Sequence, residues 1–388
     1  MCQRSLPARE GSAPGETAGD ERRSFHGLFI PVNMRYQFFV QLFDATGAEL
    51  GREPIEPDWV QAREWVRFEA IRLQKSPATT AVPVDFAPLW DDRMHSPYVR
   101  GFRGSIGGEA FSVDFPKTYF YQDARKASVR YVNAGRLRDG EKFFFKLMAF
   151  AAEGELPGPH GTAEEIPQTV AIQDSPIARF HADSVAVGQS LEGDAPVFIS
   201  SQALAQAKET CAAAVDVEVG GILLGRLHRD IIDRQLLFIE ITAQVPAEHT
   251  IQEFTRLTFT PETWAAARAA LRLRHRGEQM CGWFHLHPDF CKVKQCDAAK
   301  RANCDLGGIF FSSDDCALHR TVFPLPQHVA LLISDRNGSF VPAVYGWRKG
   351  TIVQRGFHVM NGLPPCATDR KIAGEFAGVA GGIENGKR

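Results

Sequence analysis

The chain has 388 residues, a length that suggests two domains. Forty-four Lys and Arg stand against forty-six Asp and Glu, a net charge of −2, so nothing in the charge balance points to nucleic acid or to an anionic membrane surface. No apolar run approaches the ~20 residues of a membrane-spanning helix, and we expect no membrane partner.

In chain order, residues 1–33 read as a disordered leader. They are polar, rich in Gly, Glu and Arg, and lack the apolar core of a signal peptide. Met34 opens the first strand-like run, and translation is expected to start there if the leader is not native. Residues 34–152 read as a smaller α+β domain, with strands at 36–43, 109–121 and 142–151. A helix over 58–73 starts near Asp58 and places Trp65, Val66, Ala70 and Leu73 at helical spacing. Phe143, Phe144 and Phe145 are expected in its core. Gly104–Gly108 is too short for a phosphate loop, and the domain's default role is substrate or partner recognition. Residues 153–194 have linker composition.

Residues 195–360 read as an α/β domain, a mixed sheet flanked by helices. A strand at 197–201 leads into a helix at 202–214, with strands at 218–224 and 235–245. Thr260 and Pro261 mark the N-cap and first position of a helix to Arg276 that stops at Gly277, with Phe259 and Trp264 spaced as a hydrophobic staple. Strands at 329–334 and 343–347 complete the sheet, and 361–388 reads as a flexible tail.

The strand-like stretch Met280–His287 carries the chemistry. Residues two apart on a strand share a face, so His285 and His287 project together, with Trp283 beside them. Pro288 ends the strand because it has no N–H for the ladder. By itself such a pair is more often an ordinary polar pair than a metal site. Downstream, Ser312-Ser313-Asp314-Asp315 supplies a carboxylate as a third ligand type. Three ligands leave the open tetrahedral position that a hydrolytic zinc requires. Upstream, Glu218 stands at the mouth of the apolar run Val219–Leu224, where a carboxylate is costly unless solvated, paired or functional. Gly220 and Gly221 allow close approach of another backbone or a substrate.

Together, Glu218-Val-Gly-Gly-Ile-Leu-Leu-Gly225, Gly282-Trp-Phe-His285-Leu-His287-Pro288 and Phe311-Ser312-Ser-Asp-Asp315 resemble the JAB/MPN metalloprotease family with its JAMM motif. The stretch 309–320 is similar to the bacterial branch. The resemblance covers about residues 195–350. It implies that His285, His287 and Asp315 bind zinc, that Glu218 is the general base toward an activated water, and that Ser312 donates a hydrogen bond to the developing oxyanion. The chain departs from the family in the spacer between His287 and Asp315, where twenty-seven residues intervene, more than is usual.

Five of the eight cysteines lie between 281 and 316, three of them, Cys291, Cys296 and Cys304, in that insert. With no sign of secretion, a cytoplasmic location is expected and disulfides are not. A second, structural zinc held by Cys291, Cys296, Cys304 and Cys316 is one reading. Free thiols on a basic loop and a redox role are the others. The resemblance implies a zinc isopeptidase that cleaves at the C-terminal glycine of a ubiquitin-like protein, with E1- and E2-like proteins as further partners. Release of an amino acid from a sulfur-carrier protein uses the same chemistry, and a non-catalytic MPN scaffold that binds a ubiquitin-like partner is the rival.

Overall fold

The computed structural model of the protein describes residues 36–78, 82–91, 97–108, 110–151, 169–214, 219–247, 251–253, 256–293, 295–297 and 309–361. The leader at 1–33, residues 153–168 of the linker and the tail beyond 361 lie outside them, as do Glu218 and Cys304. From Tyr36 onward the chain forms one compact unit built on two sheets.

The first sheet begins with a hairpin, β1 (Tyr36–Phe43) and β2 (Glu49–Ile55). Phe38, Val40 and Leu42 alternate onto its buried face. α1 (Val60–Arg72) follows, and the Val60 N–H donates to the Asp58 carboxylate at 3.0 Å, which satisfies one of the amides a helix start leaves unpaired. Then come β3 (Asp85–Trp90), β4 (Tyr98–Ile106), β5 (Phe111–Pro116), a short turn of 3-10 helix, α2 (Tyr121–Asn133) and β6 (Phe144–Ala151). The order across the sheet is β2-β1-β6-β4-β3, with β5 paired to β4. Trp65 and Val66 of α1 and Ala124 and Tyr131 of α2 share a core with β1, Phe102 and Leu147.

Two expectations change here. The run expected as one strand over 109–121 divides at Pro116, which cannot donate to a ladder. Tyr119 and Phe120 then enter the core from helical turns instead. Of the three consecutive phenylalanines, Phe143 and Phe145 pack on the core, but Phe144 alternates outward and is 60% exposed.

The second sheet uses β7 (Ile172–Ser175), β8 (Ser184–Val187), β9 (Val197–Ser200), β10 (Gly220–Asp230) and β11 (Leu237–Pro246), with α3 (Ile177–Ala182) after β7 and α4 (Ser201–Ala212) after β9. A small hairpin, β12 (Ile251–Glu253) and β13 (Arg256–Thr258), precedes α5 (Pro261–Arg274). β14 (Gln279–His287), α6 (Phe290–Val293), α7 (Ser313–Val322), β15 (Val329–Arg336), β16 (Ser339–Arg348), β17 (Thr351–Arg355) and β18 (Phe357–Met360) complete it. The order is β17-β16-β15-β14-β10-β11-β9-β18-β8, with β7 paired to β10. Thus the part of the expected linker from Ile172 onward supplies two strands to this sheet. Its polar composition reflects short, half-exposed edge segments rather than a free connection.

This sheet is covered on both faces, so its central strands are apolar without strict alternation. Leu223, Phe284, Leu286 and Leu331 face α4; Ile222, Leu224, Trp283 and Leu332 face α5 and α7. Pro261 stands at the first position of α5, and the Phe259 and Trp264 rings meet at 5.7 Å as the staple spacing predicts. The helix stops at Arg274 because His275 adopts a left-handed φ of 46°, two residues before Gly277. Gly221 admits close approach, and what comes close is the β11 backbone at Val245. Gly282 is required by its φ of 151° and by the Val329 carbonyl, which leaves no room for a Cβ.

The two sheets are tied together by α1 and its neighbours. Phe68 of α1 packs into the core of the second sheet, and Trp347 of β16 into that of the first. Arg229 donates to the carbonyls of Ile71 at 2.8 Å and Arg72 at 2.9 Å, which caps the C-terminal end of α1 with a cation. The mixed α/β class expected from the sequence is the class observed.

Candidate metal centre

β14 lies between β10 and β15 at the middle of the second sheet. It pairs antiparallel with β10, Gly220 opposite His285, and parallel with β15, Leu332 beside His285 and Ser334 beside His287. Trp283, His285 and His287 therefore share the face covered by α7, and both histidines are buried. α7 carries the third residue. Ser312 is its N-cap: the hydroxyl accepts from the Asp315 N–H at 3.0 Å, and the Ser312 N–H donates to Asp315 Oδ2 at 2.7 Å. This reciprocal capping box fixes both residues at the start of the helix. It uses the Ser312 oxygen as an acceptor, which leaves its proton to donate.

Asp315 faces both histidines. Its Oδ1 lies 3.1 Å from His285 Nε2 and its Oδ2 3.1 Å from His287 Nε2. Ligand atoms of the three residues lie within 4.8 Å of one another, the sole such group of His, Cys, Asp or Glu among the described residues. Burial alone would raise the Asp315 carboxyl, but the two imidazoles outweigh it and hold the group far below the ordinary carboxylate range. Burial pushes His287 down, more strongly than Asp315 pulls it up. An ionised carboxylate beside a neutral imidazole is the protonation state that a divalent cation needs from its ligands.

The hydrogen bonding also fits a cation. His287 Nε2 is aligned with Asp315, but His285 Nε2, although close, is not aligned for a hydrogen bond, and neither Nδ1 atom has a hydrogen-bond partner among the described residues. A buried polar atom without a partner costs roughly 1–3 kcal/mol. A cation held by His285, His287 and Asp315 would use the His285 lone pair.

Neighbouring rings hold the histidines. Trp283 stacks on His285 at 4.4 Å and 14°. The Trp283 indole N–H donates to His319 Nδ1 at 3.1 Å, and Phe310 lies 4.8 Å from His287. Sequence reasoning passed over His319, although it stands four residues after Asp315 and so on the same face of α7. Phe310 left no such signal.

The other sequence-predicted residues divide. Glu218 lies outside the described residues; Val219, the residue after it, accepts the Leu286 N–H at 2.8 Å. Of the proposed cysteine ligands, Cys304 is outside as well. Cys291 is buried, Cys296 and Cys316 are partly exposed, and the three form no metal-sized group among the described residues. Burial, then the adjacent Asp315 carboxylate, push the Cys316 thiol above its ordinary value.

No family model matches the chain, and no curated protein matches it. Among solved structures, it is similar at 18% identity to the solution structure of protein DSY2949 from Desulfitobacterium hafniense, over 41% of this chain and 88% of that one, with a TM-score of 0.28. A likeness so slight carries neither fold nor role across.

Proposed function

We propose that this protein is a zinc-dependent peptidase of the JAB/MPN type that cleaves an amide at the C-terminal glycine of a ubiquitin-like protein. The observation that carries the hydrolytic half of this reading is the buried His285–His287–Asp315 group, with its ionised carboxylate and its unpartnered imidazole nitrogens. The substrate half rests on the motif resemblance. His285, His287 and Asp315 would hold the ion. Zinc, when bound, lowers the pKa of a water to about 7 and polarises a carbonyl. Glu218 is the general base: it takes a proton from the attacking water and returns it to the leaving amine. Ser312 keeps Asp315 oriented through the capping box and directs its hydroxyl proton to the oxygen that gains charge.

The test is metal analysis together with cleavage of a ubiquitin-like fusion by the full chain. We expect one zinc per chain, cleavage after the terminal glycine, and loss of cleavage with a chelator. Glu218→Gln should retain zinc and lower the rate about 10²–10⁴-fold. Equal rates for wild type and variant would overturn the mechanism. A full zinc equivalent with no cleavage of any glycine-terminated modifier would favour a binding scaffold.

A further inference from the structure

At the opposite end of β10 from the metal centre lies a second histidine–carboxylate group. His228 is eight residues along the strand from Gly220, the partner of His285. At ~3.3 Å per residue the two groups are roughly 25 Å apart. His228 Nε2 lies 3.0 Å from Glu240 Oε2 of β11, and His228 Nδ1 lies 2.9 Å from the hydroxyl of Ser175, the last residue of β7. Arg226 Nη1 donates to the same Glu240 oxygen at 2.8 Å. These residues line a cavity of about 230 Å³, with Arg179 and Phe180 from α3 across it.

The polarity of this chain of contacts follows from Glu240. Burial would raise its carboxyl, but the bonds from His228 and Arg226 outweigh burial and keep it below its ordinary value. An ionised carboxylate only accepts, so His228 carries its proton on Nε2 and offers a lone pair at Nδ1. In the neutral imidazole the Ser175 hydroxyl then donates to Nδ1. A serine whose proton points at an imidazole, itself oriented by a buried carboxylate, is the arrangement of an activated nucleophile. The imidazole is held in that plane by Phe238, stacked at 4.9 Å and 13°, and by Phe180 at 5.3 Å. His228 and Glu240 are buried, whereas Ser175 is half-exposed to the cavity.

From this geometry we infer a second catalytic site, independent of metal, in which Ser175 is an acyl-accepting nucleophile, His228 its base and Glu240 the group that orients the base. The substrate class is a small carboxylic ester or thioester. The cavity is below the usual ~300–1,000 Å³ of drug-sized sites, so it admits a short acyl group and not a polypeptide. Ser175 Oγ forms a bond to the acyl carbon while its proton passes to His228 Nδ1. The leaving alcohol or thiol departs with the electrons of the broken C–O or C–S bond and takes that proton from His228. Water then adds to the acyl-serine, again giving its proton to His228. Collapse releases the carboxylic acid and returns the proton to Ser175. Arg179 offers a positive charge to the carbonyl oxygen from the same cavity.

Incubation of the full chain with a fluorophosphonate, followed by peptide mass spectrometry, tests the site. A single adduct is expected at Ser175, in which the serine oxygen bonds phosphorus and fluoride leaves. It should be absent from Ser175→Ala, form at least ~100-fold more slowly in His228→Gln, and persist after treatment with a chelator. Labelling of wild type no faster than Ser175→Ala would overturn the proposal, as would His228→Gln labelling at the wild-type rate. If Ser175→Ala melts below wild type, the wild-type adduct map decides alone: adducts elsewhere and none on Ser175 refute the site.

Discussion

β10 runs between two groups that share a composition, a carboxylate beside histidine, and differ in how their nitrogens are used. At the Gly220 end Asp315 meets two buried imidazoles, and three of the four ring nitrogens have no hydrogen-bond partner among the described residues. At the far end Glu240, His228 and Ser175 form a continuous chain in which both nitrogens of the imidazole are engaged. Burial is alike, so desolvation does not separate them. The difference is in the partners: unpartnered lone pairs converging on a carboxylate suit an electron-pair acceptor, while a closed chain ending on a hydroxyl suits movement of a proton.

The largest expected contrast is in metal content. Asp315→Asn keeps the shape of the Ser312 capping box and removes the charge, so bound zinc should fall from one equivalent to background in metal analysis. Retention of a full equivalent would break the distinction between the two ends. Glu240→Ala should leave zinc content intact and destabilise the fold by about 3–5 kcal/mol, because Arg226 loses its buried counter-charge and His228 Nε2 its acceptor. Denaturant unfolding measures this, and a loss below 1 kcal/mol would mean that the far end is not a closed network.

Trp283→Phe keeps an aromatic ring against His285 and removes the donor to His319. About 1–3 kcal/mol of stability should be lost with zinc retained; a variant as stable as wild type would show that the indole bond does not hold the layer. Acid sensitivity belongs to the face that carries His285 and His287. His319 is held well below its ordinary value and His328 down to about 4, in both cases by burial first. The unfolded chain then binds more protons as pH falls below about 6.5. Stability should decline from there towards pH 4 by at most about 1.4 kcal/mol per pH unit for each histidine. Melting temperature against pH checks this, and His328→Gln should flatten the curve. An unchanged slope would assign the acid sensitivity elsewhere.

What could be read in advance tracks the range of each interaction. His285 and His287 share a face because a strand has a period of two, and Trp283 falls beside them for the same reason. The start of α5 follows from Thr260, Pro261 and Phe259. Ser312 and Asp315 were legible as a pair, although their capping box adds a structural role to Ser312 that the motif did not suggest. The helix end at His275, the division of 109–121 at Pro116 and the outward turn of Phe144 were missed, since each depends on which side chains the core accepts. β7 and β8 were missed because four-residue edge strands carry too little pattern to stand out from a linker.

The sequence by itself determined the local relations at the candidate metal centre: two histidines on one strand face, a serine and an aspartate one helical turn apart, and the order in which they come. Only the tertiary structure decided that Asp315 crosses a twenty-seven-residue spacer to lie 3.1 Å from both imidazoles. It alone brought Ser175, His228 and Glu240, from three separate strands, into one chain of contacts. The reason is physical. Periodicity fixes neighbours along an element, but strand register and helix docking are set by packing among residues far apart in the chain, and no short window of sequence contains both partners.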